Sequence, residues 1–242
     1  METSEMIADI GSQLAALGTT VRAEQEKRYM KSAMRHHGVA VPQLREFARQ
    51  YRQQFELNDA DQCVALAAPL WQSEWFEERS LAILFCAGEA EELTPLQVTN
   101  LFEDWLQDIR GWAHLDSLCI EVIGKIGRNH KELWPRVFSW RLNGHMWTRR
   151  ASLISLMQVV RDGSVDRDQL RATCADLSGE KEFFIRKAIG WILREGVRKE
   201  LSGIDDIIVA LGPKLSPLSL REAIRRYPVD KQAEIKRLIV DQ

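Results

Sequence analysis

Apolar residues recur along almost the whole chain at positions i, i+3, i+4 and i+7, the spacing of one face of an α-helix. Alternating runs typical of strands and Asn-Gly hairpin turns are scarce. The pattern therefore predicts an all-α protein. Its helices are expected to stop at turn-forming residues, and the short connections suit antiparallel helix pairs. The predicted stops are Gly38, Gly88, Asn129-His130, Asp162-Gly163, Gly179 and Gly212-Pro213.

Four of the predicted helices resemble one another: WFEERSLAI from Trp75, WAHLDSLCI from Trp112, MWTRRASLI from Met146 and FFIRKAIGW from Phe183. Aligning them places four charged residues in one column at separations of 37, 34 and 37 residues; they are Arg79, Asp116, Arg150 and Lys187. A weaker fifth member is LREAI, which echoes IRKAI. This period is typical of HEAT or armadillo repeats, in which helix pairs bury their apolar faces by stacking. We therefore predict an α-α superhelix (solenoid) with a concave basic cleft, and residues 1–242 as a single domain.

Asp116 is the one acidic residue in this column of otherwise basic positions, which requires an explanation. Trp112 precedes it by four residues, so a helix places the indole and the carboxylate on one face, one turn apart. Trp191 replaces an isoleucine that the other aligned helices repeat. The simplest alternatives are an exposed acid near a helix N-terminus and a tryptophan of the core. Together, however, the three residues suggest a carboxylate between aromatic rings.

Charge is unevenly distributed along the chain. Its 242 residues carry a net charge of −2, which by itself argues against a nucleic-acid partner. The segment from Glu56 to Asp108 holds 12 acids and one base, a net −11, which leaves +9 for the remainder. Such segregation is compatible with one basic face and an acidic back or edge.

Other features of the composition narrow the function further. The four cysteines, Cys63, Cys86, Cys119 and Cys174, are widely spaced, which favours buried free thiols in a reducing cytoplasm. His36-His37 and the other histidines lack a common metal-ligand spacing, so we expect neither a metal nor a cofactor. The N-terminus does not resemble a signal peptide, and no apolar run reaches the ~20 residues of a membrane span.

A basic cleft bordered by aromatic residues can follow a phosphate backbone and pack on sugars or bases. A carboxylate there can stabilise an electron-deficient sugar carbon and orient water toward it, as in glycoside hydrolysis. The second carboxylic acid of such enzymes is dispensable when the leaving base is already cationic. Asp116 would therefore suit the excision of N3- or N7-alkylated purines.

The sequence resembles the AlkD-type bacterial DNA alkylation repair glycosylases, which are HEAT-like helical solenoids. The resemblance extends from about Arg28 to Arg226 and is most specific in RYMKSAMRHHGVAVPQLR, WAHLDSLC, WTRRASL, KEFFIRKAIGWILRE and LSPLSLREAIRRY. It implies that Asp116, Trp112 and Trp191 form the catalytic site and that Arg150 and Tyr29 bind DNA. It also implies hydrolysis of 3-methyladenine- and 7-methylguanine-type lesions in duplex DNA, without a metal or cofactor, in the bacterial cytosol.

Four further basic residues are candidates for phosphate contacts: Arg79, Lys187, Arg194 and Lys31. His114 is expected to point away from the face of Asp116. We predict a monomer. Two alternatives remain open: a HEAT scaffold that binds protein through its acidic segment, and a family member that binds DNA without catalysis. DNA binding through the basic column predicts that affinity falls steeply with salt and that Arg150→Ala flattens this dependence.

Overall fold

The computed structural model describes residues 2–241, and within that range every regular element is a helix. The one β-type pairing among these described residues is an isolated bridge between Arg35 and Trp75. The all-α prediction is therefore confirmed. The chain contacts divide into two compact units, the first ending at Ile126 and the second beginning at Gly127. The single-domain extent of 1–242 stays a prediction.

The first unit is built from helices that surround a core of buried leucine, isoleucine and aromatic side chains, among them Leu81, Phe85, Phe102 and Leu115. Two π-helical segments of this unit, Val98–Phe102 and Leu118–Ile123, lie between α-helices. Its helices are α1 (Thr3–Leu17), α2 (Thr20–Met30), α3 (Val41–Gln54), α4 (Ala60–Trp71), α5 (Phe76–Gly88), α6 (Pro95–Gln97), α7 (Glu103–Asp108) and α8 (Trp112–Ser117). Helix α9 (Gly124–Asn129) contains the boundary between the units.

The second unit packs its helices around an apolar core that includes Leu153, Ile154, Ile189 and Leu193. Short 3₁₀ segments at Lys131–Leu133, Trp140–Leu142 and Gly212–Lys214 connect or extend its helices. These helices are α10 (Trp134–Ser139), α11 (Met146–Ile154), α12 (Met157–Asp162), α13 (Arg167–Leu177), α14 (Phe183–Arg198), α15 (Ile204–Leu211), α16 (Pro217–Ile224) and α17 (Val229–Val240).

Most predicted helix stops coincide with observed ends. Helix α5 ends at Gly88, α9 at Asn129 and α12 at Asp162, where Gly163 adopts the left-handed conformation. The stop predicted at Gly38 is displaced, because α2 already ends at Met30 and Lys31 caps it with a φ of 51°. Eight more residues lead to Gly38, where a φ of 81° and a hydrogen bond from the backbone N–H to Glu77 Oε1 fix the chain before α3.

The four aligned stretches begin helices in the same way. Trp75 is the N-cap of α5, and Trp112, Met146 and Phe183 are the first residues of α8, α11 and α14. The fifth stretch, LREAI, lies in α16. The predicted register of the column therefore corresponds to equivalent turns of successive helices.

The helix that carries Asp116 departs from regular α geometry. Helix α8 continues without a break into the π-helical segment Leu118–Ile123 and then into α9. The apolar residues Leu115, Leu118, Cys119 and Val122 of this stretch are fully buried, as are the other three free cysteines. A π-turn accommodates an extra residue, so side chains after Ser117 point in directions that a 3.6-residue period does not predict.

Candidate active site

Trp112 and Asp116 lie one turn apart on α8 and line the same cavity of about 590 Å³ within the first unit. The N-cap of α8 is Gly111, whose backbone is extended, and Trp112 is therefore the first helical residue. The Asp116 side chain lies at the cavity wall but is largely covered, since the residue is 9% exposed. The indole is half-buried. A carboxylate in such a position is shielded from bulk water and next to an aromatic ring.

Tyr29 completes this aromatic wall from a different helix. It belongs to the last turn of α2, is 76% exposed and also lines the cavity. Its ring meets Trp112 edge to face, with centroids 6.0 Å apart. An exposed tyrosine ring next to a half-buried indole and a carboxylate can pack on a sugar or a base. Lys31 follows two residues later and is exposed.

The remainder of the cavity wall combines apolar side chains with a few charged ones. Arg45 makes a bidentate ion pair with Glu121, at 2.8 and 2.5 Å. Glu26 and Arg22 on α2 pair with each other at 2.8 Å. The apolar part of the wall includes Val39, Val41, Leu44, Ile83 and Leu84.

His114 lies on the same cavity wall, contrary to the expectation that excluded it from the site. Its Nε2 is 3.0 Å from both Ser80 Oγ and the carbonyl oxygen of Phe76, and its ring stacks on Phe76. Burial lowers the pKa of His114 to about 4 and outweighs the hydrogen bond to the Phe76 carbonyl. A neutral imidazole therefore joins the N-terminal turn of α8 to α5.

The basic residue of the column in this unit, Arg79, is bound to other groups of the same unit. Its guanidinium pairs with Asp108, donates from Nε to the carbonyl oxygen of Ser73 at 2.8 Å and lies over the Trp71 ring. It lines a second cavity of about 440 Å³ together with Trp112 and His114. A phosphate contact by Arg79 would have to compete with Asp108.

In the second unit, Arg150 is 4% exposed and donates a hydrogen bond from Nη1 to the carbonyl oxygen of Phe184. Its neighbour Arg149 pairs with Glu180 at 2.6 Å. Arg150 joins α11 to α14, and truncating it would disturb that packing as well as any contact with a ligand.

Lys187 and Arg194 share one partner, Glu222 on α16, and the lysine lies 3.0 Å from it. Burial alone would raise the pKa of Glu222, but the neighbouring cations outweigh it and hold the pKa below its usual value. Glu222 aligns with the column through the LREAI stretch. Trp191, between the two basic residues on α14, is half-buried.

Sequence reasoning missed several residues of the first unit. Glu121 and Ile120 both line the cavity because the π-helical segment brings consecutive side chains to it. Glu26, His36 and Glu77 place potential metal-ligand atoms within 4.8 Å of one another, although their sequence positions show no ligand spacing. The one feature of the sequence that indicated this cluster is the pair of adjacent histidines, His36 and His37.

The family is established by a sequence model described as DNA alkylation repair enzyme, which matches residues 10–227. The chain belongs to the DNA alkylation repair enzyme family. No curated protein matches it by sequence. Among the residues that the structure describes, no helix is both long and apolar enough to cross a membrane.

Solved structures with the same fold come from two bacteria. A predicted DNA alkylation repair enzyme from Enterococcus faecalis has a TM-score of 0.77 at 20% identity, covering 88% of this chain and 97% of its own. AlkD2 from Streptococcus mutans has a TM-score of 0.59 at 13% identity, with 98% and 97% covered. At these identities the likeness concerns the helical fold.

Proposed function

We propose that this member of the DNA alkylation repair enzyme family is a glycosylase that removes cationic N3- or N7-alkylated purines, such as 3-methyladenine and 7-methylguanine, from duplex DNA. The observation that carries the proposal is the wall shared by Trp112, Asp116 and Tyr29. It presents one shielded carboxylate and two aromatic rings to a single cavity.

In the proposed reaction the bond between C1′ of the deoxyribose and the purine nitrogen breaks. Its electron pair leaves with the base, which thereby loses its positive charge and needs no general acid. Asp116 stabilises the positive charge that develops on the sugar and orients a water molecule. The water oxygen bonds to C1′, and its released proton passes to Asp116 and then to solvent.

The proposed DNA contacts differ in how accessible their side chains are. Tyr29 and Lys31 are exposed at the end of α2. For Trp191 as an aromatic contact and Arg150 as a phosphate ligand, the support is the family motif. Arg79, Lys187 and Arg194 stay in the proposal as phosphate contacts that must first release Asp108 or Glu222.

The decisive test is the release of 7-methylguanine from methylated duplex DNA, followed by chromatography. Asp116→Asn should slow single-turnover release by at least ~100-fold, because the amide cannot offset the cationic sugar. Its affinity for undamaged duplex should stay within about twofold of that of the wild type. Asp104→Asn, which changes an exposed acid on α7, is the matched control and should leave release unchanged.

Two outcomes would contradict this function. If the wild type binds methylated duplex but releases no base, the protein is a DNA-binding member without catalysis. If it neither releases a base nor binds DNA at low salt, the protein-binding scaffold is favoured.

A further inference from the structure

A cluster of potential metal-ligand side chains lies in the first unit, and one of its members, Glu26, also lines the cavity of Asp116. Glu26 on α2, His36 in the α2–α3 connection and Glu77 on α5 each direct a ligand atom to one place, with all three atoms within 4.8 Å of one another. His36 and Glu77 are buried, and Glu26 is partly buried. Three elements that are distant in sequence therefore converge on one point.

The histidine supplies an independent indication that this cluster binds a ligand. His36 is 9% exposed, and neither of its ring nitrogens has a hydrogen-bond partner among the described residues. Buried polar nitrogens are nearly always satisfied, since leaving one unpaired costs free energy. The ring stacks on Phe76, with centroids 4.7 Å apart, which holds it in place. A group absent from the protein itself would satisfy at least one of these nitrogens.

The donor atoms of the cluster indicate that this group is a cation. The ligand atoms belong to two carboxylates and one imidazole. Arg22 pairs with Glu26, and Glu77 accepts hydrogen bonds from backbone N–H groups. Carboxylate oxygens and an imidazole nitrogen together form a set of electron-pair donors that a metal cation accepts.

We propose that Glu26, His36 and Glu77 bind a divalent transition-metal ion of the Zn²⁺ type. One imidazole nitrogen and two carboxylate oxygens match the ligands that zinc accepts, whereas Mg²⁺ prefers oxygen alone. Bonds of about 2.0 to 2.2 Å require ligand atoms roughly 3.3 Å apart in a tetrahedral site. Because the ligand atoms lie within 4.8 Å of one another, the side chains need to close by up to about 1.5 Å. Water would complete the coordination.

The carboxylates can serve this ion while keeping their present partners. Glu77 accepts backbone hydrogen bonds from Gly38 and Val39 at Oε1 and from His37 at Oε2, which orients it as ligand-supporting bonds do in metal sites. The Arg22 ion pair uses Oε1 of Glu26. Each carboxylate has about four acceptor positions, so an additional bond is chemically possible.

The consequence of binding would be structural. Helix α2 has no buried residue and is followed by a ten-residue connection, so apolar packing contributes little to its position. An ion held by Glu26, His36 and Glu77 would fasten α2 to α5. Tyr29 lies one turn after Glu26 on that helix, and its contact with Trp112 would become more persistent. This inference does not depend on the proposed glycosylase activity.

The test uses the full chain after treatment with a chelator. Calorimetric titration with Zn²⁺ should give one site per chain, and Co²⁺ should produce visible absorption bands characteristic of a bound ion. His36→Phe keeps the stacking on Phe76 but removes both nitrogens, and Glu26→Gln removes one carboxylate. Each should weaken Zn²⁺ binding by at least ~10-fold, whereas His130→Ala, which changes a histidine of the second unit, should have no effect.

Hydrogen exchange locates the effect. Zn²⁺ should slow exchange of the α2 amides in the wild type and leave them unchanged in His36→Phe. The inference is overturned if the wild type binds no zinc at micromolar concentration, if both variants bind as the wild type does, or if Mg²⁺ displaces Zn²⁺ at equal concentration. Because the readouts are binding and exchange, they do not depend on whether a base is released.

Discussion

At the scale of single residues, Glu77 shows how a buried carboxylate can shape the backbone. It accepts hydrogen bonds from the amides of three consecutive residues, His37, Gly38 and Val39, at 2.9, 2.6 and 3.2 Å. These amides belong to the connection that leads from α2 into α3. The Glu77 carboxylate is thus stabilised by the same backbone N–H groups whose positions it fixes.

Glu77→Gln should reduce the free energy of unfolding by about 2 to 4 kcal/mol, because the amide replaces one acceptor with a donor that faces an N–H group. Denaturant titration in the presence of a chelator would measure the loss without a contribution from metal. Glu74→Gln, at an exposed position just before α5, should change stability by less than ~0.5 kcal/mol. Equal effects of the two variants would mean that the backbone bonds contribute nothing.

His114 gives the protein a pH dependence of stability. Its pKa is about 4 in the folded chain and 6.5 ordinarily, so the unfolded state binds more protons between these values. Stability should therefore fall as the pH is lowered through that window, by a total of about 3 kcal/mol from this residue. Denaturant titrations from pH 4 to pH 7 should show a smaller slope for His114→Gln. An identical slope in both proteins would show that other groups cause the dependence.

At the scale of elements, α14 and α16 approach each other through Gly190. A Cβ at this position would lie 2.5 Å from Glu222 Cβ and 2.8 Å from the carbonyl oxygen of Ser219. The glycine is needed here for close packing, since its φ lies outside the left-handed range. The same approach brings Lys187 and Arg194 to Glu222.

Gly190→Ala should destabilise the protein by about 1 to 3 kcal/mol, because two helix backbones must separate to admit one methyl group. Thermal unfolding would report the change. Gly144→Ala is the control, since a Cβ there meets nothing within 4 Å. A Gly190→Ala protein as stable as the control variant would indicate that α16 can shift without cost.

At the scale of the whole molecule, the net charge of −2 does not show how many acidic side chains are buried or paired with basic side chains of the same protein. Of the 12 acids between Glu56 and Asp108, Glu77 and Glu78 are buried, Glu89 pairs with Arg52, and Asp108 pairs with Arg79. The acidic segment therefore exposes less negative charge than its composition suggests. Exposed cations such as Lys31 can still attract phosphate.

Binding to undamaged duplex should weaken steeply as salt increases, because each neutralised phosphate releases counterions. Lys31→Ala should reduce the slope of log affinity against log salt by about one unit, whereas Lys199→Ala, an exposed lysine after α14, should leave it unchanged. Fluorescence anisotropy at several salt concentrations would measure both. Arg150→Ala should also flatten the slope, but its bond to Phe184 makes a loss of stability an expected second effect. A slope that Lys31→Ala leaves unaltered would remove Lys31 from the proposed DNA contacts.

The sequence by itself determined the helical class, most helix ends and the common face of Trp112 and Asp116. These features depend on residues within one or two turns, where the 3.6-residue period and turn-forming residues act directly. The same local logic placed the aligned stretches at equivalent positions of successive helices.

Only the tertiary structure decided which side chains meet across elements. Tyr29 contacts Trp112, and His36 lies close to Glu77. Asp108 and Glu222 form ion pairs with basic residues that the sequence pattern predicted as phosphate contacts. The π-helical turn after Ser117 also altered the directions expected from a regular helix. These contacts join residues that are far apart in the chain. The 3.6-residue spacing of apolar residues reports on one helix only and carries no information about which side chains of other helices it meets.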